Sequence, residues 1–211
     1  YGDHQDLHSF PTRRSSDLHA LGQVAHFAQP EGSRDFSAKE LRGALNAHLP
    51  PAVRVMRARR VAGSFHARFS ARWKRYRYRI LNAAVMPPHE LGRAWQVPLP
   101  LDLRAMRAGG KGLEGWHDFA PYSVNSKTVR EDTVRRVRRI SVSARGPVIE
   151  VTVDGDGFLY RMVRGIVGAM VHVGLGRREP GWMTERLRAG RREPGVVTAP
   201  AEGLYLVRVV Y

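Results

Sequence analysis

The chain of 211 residues has no cysteine, which removes disulfides, thiolate zinc sites and cysteine nucleophiles together. Lysine is nearly as scarce. Of 35 basic residues only Lys39, Lys74, Lys111 and Lys127 are lysine, and the rest are arginine. Acids are short as well, at 19, so the formal net charge is +16. A GC-rich genome explains arginine in place of lysine but not the excess over acids, and that excess points to a polyanionic partner such as nucleic acid. No uncharged run has membrane-spanning length, because the most apolar stretch is broken by Arg161, Arg164 and His172, so no membrane role is expected. The first residues show no basic region followed by an apolar segment, so there is no evident secretion signal. Nine histidines are scattered without H-x-x-x-H or carboxylate spacing, which argues against a metal site. Gly155-Asp-Gly157 lacks the third glycine of a dinucleotide fingerprint, and no P-loop or G-x-S-x-G occurs.

The densest apolar content lies in residues 154–174. Leu159, Met162, Val163, Ile166, Val167, Met170 and Val173 recur at helical spacing and predict a largely buried amphipathic helix. Arg161, Gly165, Gly168 and His172 form a narrow stripe of polar or small residues along it. Arg164 sits about 60° from that stripe, at 100° per residue. Its guanidinium keeps its proton, so it must either snorkel to water or meet an anion.

Elsewhere the pattern is mixed. Residues 1–18, YGDHQDLHSFPTRRSSDL, have no usable period. They match the translation of a common sequencing-library adapter except at Gln5, where the adapter encodes arginine. We treat them as an adapter-like segment outside the fold. Leu21–Phe27 predicts a strand, with Gln23, Ala25 and Phe27 on one face. Ser37-Ala-Lys-Glu40 is a capping box that opens a helix to about Leu49. Strands are expected at 53–61 and at 73–81, with Phe65–Ser70 between them. A short helix from Leu103 should be weakened by Gly109 and Gly110 and closed by Gly115–Phe119. Residues 130–154 predict a hairpin, 180–189 a helix and 204–210 a closing strand. The irregular alternation of strands and helices favours an α+β fold, divided as 19–71, the remainder of an N-terminal half, and 72–211, a C-terminal half.

In the strand at 73–79, Trp73, Arg75, Arg77 and Arg79 take one face, and Lys74, Tyr76 and Tyr78 the other. Aromatics interleaved with cations can stack on bases while the cations hold phosphates. An exposed basic strand with two core tyrosines has the same pattern.

Five segments occur in a recognisable order: Leu21–Phe27, Phe65-His-Ala-Arg-Phe-Ser70 with Lys74-Arg-Tyr-Arg-Tyr78, Gly115–Phe119, Gly157–Gly168, and Ala199–Leu206. Together they resemble the TruA-type tRNA pseudouridine synthases from His19 to Tyr211. The resemblance implies a pseudouridine synthase fold: a mixed, mostly antiparallel sheet with flanking helices, in two related halves around a basic cleft. It also implies a homodimer, a tRNA substrate flipped at a uridine of the anticodon stem-loop (positions 38–40 of tRNA), and no metal or organic cofactor. On the matching positions, Tyr76 would stack on the flipped base, Arg164 would pair with the catalytic aspartate, and Leu204 would pack in the pocket. Arg68 would bind the substrate's backbone, joined by the RNA-binding cations Lys74, Arg75, Arg77 and Arg161.

One departure matters. In the family a G-R-T-D-A-G-V-H-A loop places the aspartate four residues before the histidine that matches His19. Ser15 stands there, and Asp17 occupies the slot of the loop's second glycine. The family's first strand and helix, which precede this loop, have no counterpart. A chain without the aspartate in register is expected to turn over negligibly, with Asp17 the nearest carboxylate for Arg164 to meet. The alternative is a non-catalytic basic RNA-binding protein.

Overall fold

The computed structural model describes residues 18–29, 31–32, 34–124, 132–190 and 197–211. By their contacts they fall into two compact units. One is Ala25–Ser70; the other holds the described residues up to Val24 together with Ala71–Tyr211.

In the second unit, β1 (His19–Ala20), β2 (Trp73–Leu81), β3 (Trp95–Gln96), β4 (Gly115–Asp118), β5 (Val134–Arg145), β6 (Val148–Gly155) and β7 (Leu204–Val210) form one sheet. The order is β1-β7-β2-β6-β5-β4, with β3 also on β2. Four pairings are antiparallel, and β1–β7 and β2–β3 are parallel. The mixed sheet and its helices make the α+β class that the alternation predicts. The β5–β6 turn passes through Gly146 at φ 57, a conformation open to glycine without a Cβ penalty.

Period-2 alternation explains which face is covered. Tyr76, Tyr78 and Ile80 of β2 are buried, as are Ile149, Val151 and Val153 of β6 and Leu204 and Leu206 of β7. Against this face lie the helices α2 (Leu103–Lys111) and α3 (Met162–Gly174), and α4 (Trp182–Ala189) packs on α2. Helix α3 buries Met162, Val163, Ile166, Val167, Met170 and Val173. Each such side chain contributes about 1.5–3 kcal/mol. Among the described residues no helix is long and apolar enough to cross a membrane.

The small-residue stripe of α3 has a packing reason. A Cβ on Gly165 would overlap the carbonyl oxygen of Tyr122, and one on Gly168 that of Val197. Two loops thus lie directly on the helix backbone. His172, at the end of the stripe, is partly buried beside Arg177, Arg178 and Arg186, and desolvation followed by these cations holds its pKa below the usual value.

Several expected elements come out differently. The helix begins at Met162 rather than Leu159, because Arg161 is a left-handed N-cap at φ 58. Helix α2 runs through Gly109 and Gly110, which give room to Met183, Ile140 and Met170 at close range. Residues Gly115–Asp118 are a strand on β5 and not a helix terminus. Leu18, assigned to the adapter-like segment, packs against the core.

The first unit holds α1 (Ala38–His48), with Ser37 and Glu40 forming both halves of the capping box. The strand expected at 53–61 does not form, and neither does the one expected at 21–27, whose first residues belong to the second unit, where the Leu21 and Gly22 amides donate to the Leu206 carbonyl at 2.9 and 3.3 Å. The two strand-bearing related halves implied by the resemblance are therefore not seen among the described residues.

Candidate substrate site

The apolar face of β2 and the first turn of α3 converge on the segment that enters β7. Arg164 and Ala199 exchange hydrogen bonds: Arg164 Nε donates to the Ala199 carbonyl at 2.6 Å, and the Ala199 amide donates to the Arg164 carbonyl at 3.1 Å. One residue on, the Tyr78 hydroxyl donates to the Pro200 carbonyl at 2.7 Å. Leu204, buried, lies opposite Tyr78 in the β2–β7 ladder. Gly203 cannot carry a side chain here, since a Cβ would stand 2.7 Å from the Arg79 carbonyl oxygen and from the Tyr78 ring. Burial pushes the Tyr78 hydroxyl pKa up; nearby Arg164 opposes that shift and Glu202 adds to it. Arg164, Tyr78 and Glu202 thus share one electrostatic neighbourhood.

Tyr76 lies one pleat away on the same face. Its ring meets Phe158 edge-on, with centroids 5.0 Å apart at 79°, and it pairs with Leu206 and Val153 in the ladders. Only 8% of it is exposed, and desolvation pushes its pKa up to about 12. Tyr76 is therefore a neutral, mainly apolar surface rather than a titrating group.

Where the family-like sequence resumes, His19 docks on the same segment. Its ring stacks on Tyr205 at 4.6 Å, and its Nε2 lies 2.9 Å from the Gly92 carbonyl oxygen and 3.1 Å from that of Glu202. Ser15 and Asp17 lie outside the described residues.

Not all the predicted cations stand as expected. Arg75 makes a bidentate pair with Asp154, Nε and Nη2 each at 2.7 Å, which raises its pKa further. Arg77 reaches Glu150 at 3.3 Å and Arg79 reaches Glu90 at 2.9 Å. The arginine face of β2 is therefore an ion-paired surface and not a strip of uncommitted cations. The missing signal was Glu150-Val-Thr-Val-Asp154, whose acids share the period of the arginines and face them across the β2–β6 ladder.

Lys74 lies on the other face, between Gly155 and Val209. Arg161 combines the left-handed backbone with an enclosed Nε that has no hydrogen-bond partner, and its guanidinium lies 5.0 Å over the Tyr160 ring. Strained, under-satisfied side chains of this kind concentrate at functional sites. Arg68 belongs to the other unit, where it is exposed with its guanidinium 5.4 Å over the Phe69 ring. Reading the sequence missed Tyr78, Phe158 and His19 as parts of this arrangement. The motif segments contained all three, but only the ladder registers show that they converge.

Residues 111–211 match a family model described as tRNA pseudouridine synthase. The chain is 41% identical over 199 residues to the tRNA pseudouridine synthase A of Methylacidiphilum infernorum, covering 94% of this chain and 77% of that protein. The protein of the same name from Geobacillus kaustophilus is 42% identical over 202 residues, with 94% and 76% covered. That from Brevibacillus brevis is 40% identical over 208 residues, with 98% and 84% covered. Identity at this level across nearly the whole chain shows that the chain belongs to the tRNA pseudouridine synthase A family.

Proposed function

We propose that this site serves the isomerisation of uridine to pseudouridine in the anticodon stem-loop of tRNA. The observation that carries the reading is the reciprocal Arg164–Ala199 link beside Tyr78 and Leu204, at the positions where the family resemblance puts its catalytic arginine and pocket leucine. In the reaction the base is flipped out, its bond from N1 to C1′ is broken, a bond from C5 to C1′ forms, the C5 proton leaves to solvent, and N1 takes up a proton. Arg164, held at Nε by the Ala199 carbonyl, is the guanidinium that pairs with the catalytic carboxylate. Tyr76 offers the base an apolar platform, for which Phe158 must give way. Leu204 closes the pocket floor. Arg68, Lys74 and Arg161 hold the RNA backbone, and Arg75 and Arg77 join them only by opening their ion pairs. The enzyme works as a homodimer in the cytoplasm, with two related halves around a basic cleft.

The chain as written turns over negligibly, because Ser15 stands where the nucleophilic carboxylate belongs. Asp17 does not replace it: a shift of roughly 1 Å already costs about a hundredfold in rate. Tritium release from tRNA labelled at uridine C5 tests both parts. The chain itself should release none above background. Rewriting residues 12–18 as G-R-T-D-A-G-V, which sets aspartate four residues before His19, should restore release. Release by the unaltered chain would overturn the inactivity. Ser15 also favours a second reading, a non-catalytic RNA-binding protein; it gains if the rewritten chain binds tRNA but releases no tritium.

A further inference from the structure

In the first unit, the turn Phe65–Ser70 is held by imidazoles rather than by a sheet. The Ala67 amide donates to Nδ1 of His26 at 3.2 Å. The Arg68 and Phe69 amides donate to Nδ1 of His66 at 3.1 and 3.3 Å. Three successive backbone donors are therefore satisfied by two ring nitrogens. The turn is closed by the Ser70 amide on the His66 carbonyl at 2.8 Å and by the His66 amide on Ser70 Oγ at 3.0 Å. The two imidazoles lie 4.4 Å apart, and His66 also lies against Phe69 at 4.3 Å. Ala67 is fully buried while Arg68 and Phe69 point outward. A nitrogen that accepts a hydrogen bond carries no proton, so both rings are neutral and hold theirs on Nε2.

We propose that His26 and His66 are positioning residues for tRNA binding: their Nδ1 atoms fix the backbone of the turn so that Arg68 is presented to the RNA backbone in one conformation. No strand ladder orders residues 65–70, so the imidazoles supply what a sheet otherwise would. The cost of ordering the turn is met before RNA arrives, which is how preorganisation raises affinity. The sign is opposite to the usual expectation for histidine in an RNA-binding protein. These rings act as neutral acceptors for the protein's own backbone, not as cations for phosphate. The proposal rests on the reading of Arg68 as a backbone contact.

The test is binding of an anticodon stem-loop RNA to the full chain, compared across Arg68→Ala, His66→Ala, His66→Asn and His66→Gln. Asparagine can place Oδ1 where Nδ1 accepts, whereas glutamine places its amide at the Nε2 position. Arg68→Ala should weaken binding about tenfold, the size of one charge-assisted hydrogen bond, and lower the salt slope by about 1. His66→Ala and His66→Gln should lose the same tenfold, His66→Asn should stay within about twofold of the parent, and Arg68→Ala with His66→Ala should cost no more than either alone. If Arg68→Ala binds like the parent, the reading of Arg68 fails. If Arg68→Ala weakens binding but asparagine and glutamine at 66 behave alike, the positioning role is overturned. Should His66→Ala fail to fold, the asparagine and glutamine pair decides alone.

Discussion

The two units of this chain respond differently to the same kind of sequence pattern. In the second, the alternating runs at 73–81, 134–154 and 204–210 all become strands. In the first, the alternating run at 53–61 does not, although the helix at 38–48 does form, with its cap intact. A helix satisfies its amides internally, and a capping box supplies the rest from within four residues. A strand satisfies nothing by itself; its donors need a neighbour at ladder distance. In the second unit β5 and β6 bring that neighbour with them as a hairpin, and β2 finds β6 and β7 on either side. Alternation is therefore a statement about a side chain's two faces, and pairing is a separate condition.

The comparison breaks most severely at the backbone contacts of α3. Gly168→Ala would drive a methyl group into the Val197 carbonyl oxygen, and neither the helix nor the loop can yield by rotating a side chain. We expect a loss of about 3 kcal/mol, at the upper end for overpacking, visible as a lower urea midpoint for the second unit. If alanine at 168 is tolerated without loss, the loop does not lie on the helix as described.

A smaller effect is expected on the arginine face. Asp154→Asn removes the partner of a bidentate guanidinium whose own side chain remains 42% exposed. Breaking a fully buried pair costs several kcal/mol, and the exposure of Arg75 reduces that to about 1–2 kcal/mol. The same change frees Arg75, so tRNA affinity should rise or hold while stability falls. A parallel loss of affinity, read in a filter-binding titration, would show that the ion pair itself, and not the cation it holds, organises the surface.

The family was readable before any coordinates. Arg164, Tyr76 and Leu204 sit in segments whose order alone identified the family, and the buried face of α3 followed from its spacing. What could not be read was the partner of each group. Arg164 was expected to meet water or a carboxylate, and the additional bond from its Nε to a backbone carbonyl is one that no side-chain pattern announces. The basic strand stayed open between an RNA-binding surface and an ordinary exposed strand, because the acids that pair with Arg75 and Arg77 lie some seventy residues away, at Asp154 and Glu150. That His26 and His66 accept from backbone amides was not legible either, since such a contact leaves no trace in spacing. Local chemistry was legible, and long-range pairing was not.

The mildest test returns to the one element of the first unit that forms as expected. Ser37→Ala removes the acceptor for the Glu40 amide, at 3.2 Å, and the hydroxyl donor to the Glu40 carboxylate, at 2.7 Å. The cap is worth about 1 kcal/mol, and because α1 has no buried residue the loss should stay local. Amide exchange should quicken roughly fivefold across residues 38–48 while the strands of the second unit keep their protection. The Ser37 hydroxyl, then the Ser37 amide, holds the Glu40 carboxyl below its ordinary value of 4.5. A group whose pKa is depressed on folding stabilises above its unfolded value, and that contribution is lost as pH falls through the folded one. Protection of α1 should accordingly decline on acidification below about pH 4.5, and Ser37→Ala should flatten that decline. If the variant instead slows or quickens exchange in the sheet, the two units share their stability, and the contrast between a self-satisfied helix and partner-dependent strands must be redrawn as one cooperative fold.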